Sequence, residues 1–163
     1  MTRTIEDFTG VKKDVKCIGC ACATAGQSIA GYVNETELFH VHQDQEVPIP
    51  GFVILSTKRH VDSITDFTDA EANEFIALAR RIRQAQREVL GIEHVYLVQE
   101  EDTEDHFHLW MLPRYDWMKD EAKFGRKVGS AHNVLKFAEQ NMKTPDNIAL
   151  VIDAANKLKE FFN

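Results

Sequence analysis

Between Thr68 and Gly91 the chain carries the pattern of one long amphipathic helix, with short strand-like segments on both sides of it. Thr68-Asp-Ala-Glu71 forms a capping-box arrangement, in which the Thr hydroxyl and the Glu carboxylate satisfy backbone N–H groups otherwise orphaned at a helix start. Phe75, Leu78, Ala79, Ile82, Ala85 and Val89 then recur at helical spacing. Gly91 stands where a left-handed residue ends a helix. The spacing predicts a helix over 69–90. Ahead of it, 37–43 and 51–57 are rich in strand formers, and Pro48-Ile-Pro-Gly51 supplies a turn that makes them an antiparallel pair. Behind it, 94–99 and 106–112 read as strands separated by an acidic run at 100–105. From residue 130 the chain reads as two helices split near Thr144-Pro145, and residues 1–16 read as an arm or irregular lead-in. Strands, a long helix, strands and then helices predict an α+β fold with a largely antiparallel sheet. A length of 163 residues suits a single domain over 1–163.

The formal charge of −7 argues against nucleic acid as a partner, since binding its backbone rests on phosphate neutralisation by Lys and Arg. A small anion in one local pocket remains compatible with it. No apolar stretch approaches bilayer length, and MTRTIEDF lacks a signal-peptide core, so the expected address is the cytoplasm. Cys17, Cys20 and Cys22 are too few and too close together for a secreted disulfide framework.

The chemistry concentrates in His106-Phe-His-Leu-Trp-Met-Leu112. Side chains alternate across a strand, so His106, His108 and Trp110 share one face, while Phe107, Leu109 and Met111 take the core. Imidazoles mounted in this way can attack phosphorus, bind a metal or move a proton near neutral pH. Cys17-Ile-Gly-Cys20 has metal-knuckle spacing and needs two more ligands. His60 and His106 are candidates for those, and spacing alone leaves Cys22 and His40 as competitors.

Together these segments resemble the histidine-triad superfamily, whose motif is His-φ-His-φ-His-φ-φ with φ hydrophobic. The resemblance runs from about Cys17 to Arg114. It includes CIGC, the stretch QDQEVPIPGFVILSTKRHV with its Asp44, Gly51 and His60 spacing, DFTDAE leading into the long helix, and Leu-Pro-Arg at 112–114. It implies a histidine-triad fold with a core over 17–114 and a helical extension over 115–163. It further implies a nucleoside-phosphate hydrolase or nucleotidyl transferase, acting on a dinucleoside polyphosphate or phosphoramidate, with His108 as the nucleophile that carries the nucleotidyl group. Asp44 would hold the ribose hydroxyls, and His42, one strand repeat earlier, would line the base pocket. A structural zinc would sit on Cys17, Cys20, His60 and His106, and the chain would assemble as a homodimer.

The chain departs from the family pattern at three points. Trp110 replaces the third histidine and cannot exchange a proton; a branch of the superfamily, the galactose-1-phosphate uridylyltransferase type, has glutamine there and remains active. The loop before the motif is short and lacks the usual Gly-Gln-Ser, leaving Thr103 and Gln99 as phosphate contacts beside Trp110. The same loop carries Glu100, Glu101, Asp102, Glu104 and Asp105, which are expected to point outward into solvent. An inactive nucleotide-binding protein is therefore the alternative to the enzyme. A third reading, a metal-dependent hydrolase built on the acidic loop, would lose activity in EDTA without forming phosphohistidine. Arg80, Arg81, Arg83 and Arg87 read as the solvated face of the long helix, and His132 as an ordinary surface helix start.

Overall fold

The computed structural model describes residues 2–102, 106–125 and 130–163. Its centre is a five-stranded antiparallel sheet in the order β3-β4-β5-β7-β6. The strands are β3 (Tyr32–Glu35), β4 (Phe39–Gln43), β5 (Val53–Thr57), β6 (Val95–Val98) and β7 (His108–Pro113). The turn joining β4 to β5 closes at Gly51, whose φ of +73° and close neighbours Leu90 and Ile92 exclude a side chain.

Helix α2 (Asp69–Leu90) forms where the periodicity places it, with both halves of the Thr68–Glu71 capping box present and Gly91 left-handed at its end. Leu78, Ala79, Ile82 and Ala85 bury against Val53, Leu55, Leu109 and Met111 on one face of the sheet. Truncating a fully buried residue here, such as Ile82 to Ala, costs about 2–5 kcal/mol. Val89 is an exception to the predicted core stripe, because it is exposed. Gln86 is buried instead, its amide nitrogen donating to the carbonyls of Gly51 (3.0 Å) and Met111 (2.9 Å) and so tying helix to sheet. Arg80, Arg81 and Arg87 face solvent as expected. Arg83 is half-buried and donates to the carbonyls of Ile92 and Glu93.

The N-terminal segment corrects the expected irregular lead-in. Arg3–Glu6 (β1) and Lys12–Val15 (β2) pair as a separate antiparallel hairpin. Its loop is organised by buried Asp7, which accepts from the Thr9 and Val11 N–H groups and the Thr9 hydroxyl, and meets Lys13 at 3.2 Å. Helix α1 (Ile18–Ala25) and β3 also went unpredicted, both being too short to show a period.

The C-terminal helices divide between the two faces of the sheet. Thr144 caps and Pro145 opens α5 (Pro145–Phe162), confirming the split expected at Thr144-Pro145. Its buried Ala155 and Leu158 join the α2 side. Short α3 (Glu121–Phe124) and longer α4 (Ser130–Asn141) cross to the opposite face. There Ala131, Val134, Leu135 and Ala138 pack with Phe52, Ile54 and Leu112. The extension thus roofs part of the histidine-bearing side of the sheet.

Candidate active site and metal centre

Register places the side chains of His42, His108 and Trp110 on the face opposite α2. His108 pairs with Ser56 and Trp110 with Ile54 across β5–β7, while His42 pairs with Ile54 across β4–β5. A cavity of about 240 Å³ opens on this face, and His42, Asp44, His106, His108 and Trp110 all line it. Of the other residues singled out in the sequence, Gln99 stands outside the lining, its amide nitrogen buried without a partner among the described residues. Thr103 lies outside the described residues.

Each lining histidine has one ring nitrogen committed. His108 Nδ1–H donates to the His106 carbonyl at 2.9 Å, which leaves Nε2 with its lone pair. His42 Nδ1–H donates to the Gln43 carbonyl at 2.8 Å, and burial pushes its basicity down to about 3, so the ring is neutral. Asp44 Oδ1 accepts from the Glu46 and Val47 N–H groups at 2.9 and 2.7 Å, yet burial still pushes its carboxyl up to about 7.

Beside the cavity, the ligand atoms of Cys17, Cys20, His60 and His106 all lie within 4.8 Å of one another. His106 Nδ1 is 3.2 Å from Cys17 Sγ, 3.5 Å from Cys20 Sγ and 3.2 Å from His60 Nδ1, and Cys20 Sγ is 3.3 Å from His60 Nδ1. These spacings match the edges of a tetrahedron whose ligands stand roughly 2.0–2.3 Å from a central zinc. The donor chemistry fits as well. His106 Nε2–H donates to the Thr57 carbonyl at 2.8 Å, fixing the tautomer that turns the Nδ1 lone pair into the cluster. Burial depresses the His106 basicity, keeping the ring neutral as a ligand must be. Burial and the adjacent Cys17 push the Cys20 thiol up to about 11, so a thiolate at Cys20 calls for a cation beside it.

The competitors fall away. Cys22 is buried apart from the cluster with its thiol pushed up to about 12, and His40 is enclosed in the sheet with Nε2 against the Gly26 carbonyl at 3.4 Å. Gly19 explains the small residue inside the knuckle, since a Cβ there would lie 2.5 Å from His106 Cδ2.

No family model and no curated protein matches the chain. Solved structures do. A Zn-bound histidine triad family protein from Mycobacterium smegmatis is 21% identical with a TM-score of 0.57, over 89% of this chain and 96% of that one. A HIT (histidine-triad) family protein from Bacillus anthracis is 24% identical with a TM-score of 0.57, over 85% and 95% of the two chains. A member of the HIT family from Bacillus subtilis is 20% identical with a TM-score of 0.55, over 78% and 97%. The chain has the histidine-triad fold.

Within that fold, Ser56, Glu100 and His132 are among the lining residues whose place in the cavity the sequence reading missed. Ser56 faces His108 across the ladder, and its buried hydroxyl has no partner among the described residues. Alternation along 51–57 was the signal for it, since Val53 and Leu55 take the core and leave Ile54 and Ser56 to the other face. Glu100 corrects the expected outward acidic loop. Glu101 and Asp102 are exposed, but Glu100 turns into the cavity. His132 stands exposed in the first turn of α4, as expected of a surface helix start, but its ring also lines the cavity. Nothing local to either residue foretold this; it follows from where α4 lands.

Proposed function

We propose that the chain is a nucleoside-phosphate hydrolase or nucleotidyl transferase that works through a covalent nucleotidyl-His108 intermediate. The observation that carries this reading is the His108 tautomer: with Nδ1–H held by the His106 carbonyl, the Nε2 lone pair is free for a phosphorus atom. His108 Nε2 forms the bond to the α-phosphorus as the leaving group departs, and water or another acceptor then releases the nucleotide. Asp44 receives the ribose hydroxyls, and His42 with Ile54 and Trp110 forms the wall for the base. The unpartnered Ser56 hydroxyl opposite His108 is placed for a phosphate oxygen. Cys17, Cys20, His60 and His106 would hold zinc, which supplies structural cross-linking of the N-terminal knuckle to the triad strand and takes no part in the reaction. The solved Zn-bound protein of the same fold supports that choice of metal.

The chain functions as one domain and as a homodimer. Edge strand β6 and α2 leave Leu97 and Ile76 exposed at 58% and 60%, on one groove that a second copy would cover.

A dinucleoside polyphosphate, a nucleoside phosphoramidate and a nucleotidyl sugar phosphate, incubated with wild type and His108→Ala, test the reading. Turnover, or an enzyme-bound nucleotide by intact mass, is expected in the wild type alone. Nucleotide binding without turnover or adduct would establish the second reading, a nucleotide-binding protein. Trp110 at the third triad position favours that alternative.

A further inference from the structure

The triad strand lacks a proton donor for the leaving group, because Trp110 stands where the motif has its third histidine. A second imidazole reaches the cavity from another element. His132, on α4, lines the same cavity as His108, and its ring centroid lies 6.1 Å from that of Trp110. The His108 ring lies 6.0 Å from the same indole. His132 Nε2 is 3.3 Å from Glu100 Oε1, and Glu100 Oε2 is buried without a partner among the described residues. A carboxylate in contact with an imidazole orients the ring.

In-line displacement needs nucleophile and acid apart, not adjacent. A reacting distance of about 3 Å, a P–O bond and a hydrogen bond of about 2.6–3.2 Å together separate them by roughly 7–8 Å. Two imidazoles whose rings each lie about 6 Å from a shared indole can meet that separation.

Resting on the nucleotidyl-His108 reading, we propose that His132, paired with Glu100, is the general acid–base of the reaction, replacing the proton transfer that Trp110 cannot perform. His108 Nε2 bonds to phosphorus, the P–O bond to the leaving group breaks, and the His132 imidazolium delivers a proton to that oxygen. The neutral His132 then takes a proton from the attacking water as the N–P bond breaks, which restores both residues. The arrangement also accounts for the inward turn of Glu100, an otherwise costly carboxylate in a phosphate site.

The test compares the adenosine 5′-phosphate esters of phenol and of 4-nitrophenol, which are alike in size but differ in leaving-group basicity. For His132→Gln, kcat/KM is expected to fall roughly 100-fold further on the phenyl ester than on the nitrophenyl ester. Glu100→Gln is expected to shift the same ratio in the same direction by less. Thermal unfolding of both variants establishes that they are folded. An equal loss on both esters, or none, in folded variants that still form the nucleotide adduct would overturn the role of His132 and leave the His108 reading standing. Absence of any adduct or turnover in the wild type on the nitrophenyl ester would overturn both.

Discussion

The Nδ1–H of His108, the first residue of β7, donates to the carbonyl oxygen of His106, two residues earlier in the chain, at 2.9 Å. One residue thereby serves two functions. The His106 backbone fixes the tautomer of the proposed nucleophile, while its own imidazole turns Nδ1 into the cysteine cluster. The nucleotide should therefore be attached through Nε2 of His108, and ³¹P NMR of the quenched adduct checks this. His108→Ala should abolish the adduct and lower turnover by roughly a thousandfold or more.

The cysteine–histidine cluster predicts one zinc per chain by elemental analysis. Cys20→Ser should bring zinc well below one equivalent and lower the melting temperature, as chelation should in the wild type. At this chain length each kcal/mol lost corresponds to roughly 2–4 °C or slightly more. Gly19→Ala should weaken zinc binding too, because the added Cβ displaces the His106 ring. Normal zinc content in that variant would contradict the close approach.

Asp44 sets a pH dependence of stability. Burial raises its carboxyl from an ordinary 3.8 to about 7, so between those values the folded chain binds more protons than the unfolded one. Stability from this group is fully present below about pH 4 and is lost as pH rises through about 7. Asp44→Asn should keep the acceptor for the Glu46 and Val47 N–H groups and avoid the buried charge. It is expected to be more stable than wild type by about 1 kcal/mol or more at pH 8, with the two curves converging near pH 4 in urea titrations.

Glu71 has the opposite sign. The Arg59 guanidinium grips both its oxygens at 3.1 and 2.8 Å, the Thr68 N–H and hydroxyl add to this, and its carboxyl is held down to about 2 from an ordinary 4.5. Its contribution is present above about pH 4.5 and is lost as pH falls toward 2. Glu71→Gln should cost about 1 kcal/mol at pH 7, by the loss of the ion pair with half-exposed Arg59 while the Gln oxygen still accepts from the Thr68 N–H, and much less near pH 2. Because Arg59 precedes His60, zinc retention should weaken in the same variant.

Light scattering should give twice the chain mass, and Leu97→Glu should give the monomer. A monomeric wild type would remove the homodimer from the reading.

The sequence by itself determined the elements whose signals are local. The Thr68–Glu71 box and Gly91 bounded α2, because capping involves hydrogen bonds between residues three or four apart. Alternation over 106–112 placed His108 and Trp110 on one face of β7 and His106, just before the strand, on the same cavity, because side chains two apart in extended chain point the same way. The CIGC spacing paired two thiols because a two-residue gap lets both turn toward one ion. What the tertiary structure decided was which distant groups meet those elements. It brought His60 rather than His40 to the cysteines, since β4 encloses His40 within the sheet. It folded 3–15 into a hairpin around Asp7, whose partners carry no periodic mark. It also sent α4 across the sheet while α5 took the α2 side, bringing His132 and Glu100 to the cavity. Two amphipathic helices record only that each has an apolar face. Which face of the sheet each one covers depends on the apolar surface left open by all the other elements, and no local stretch of sequence contains that information.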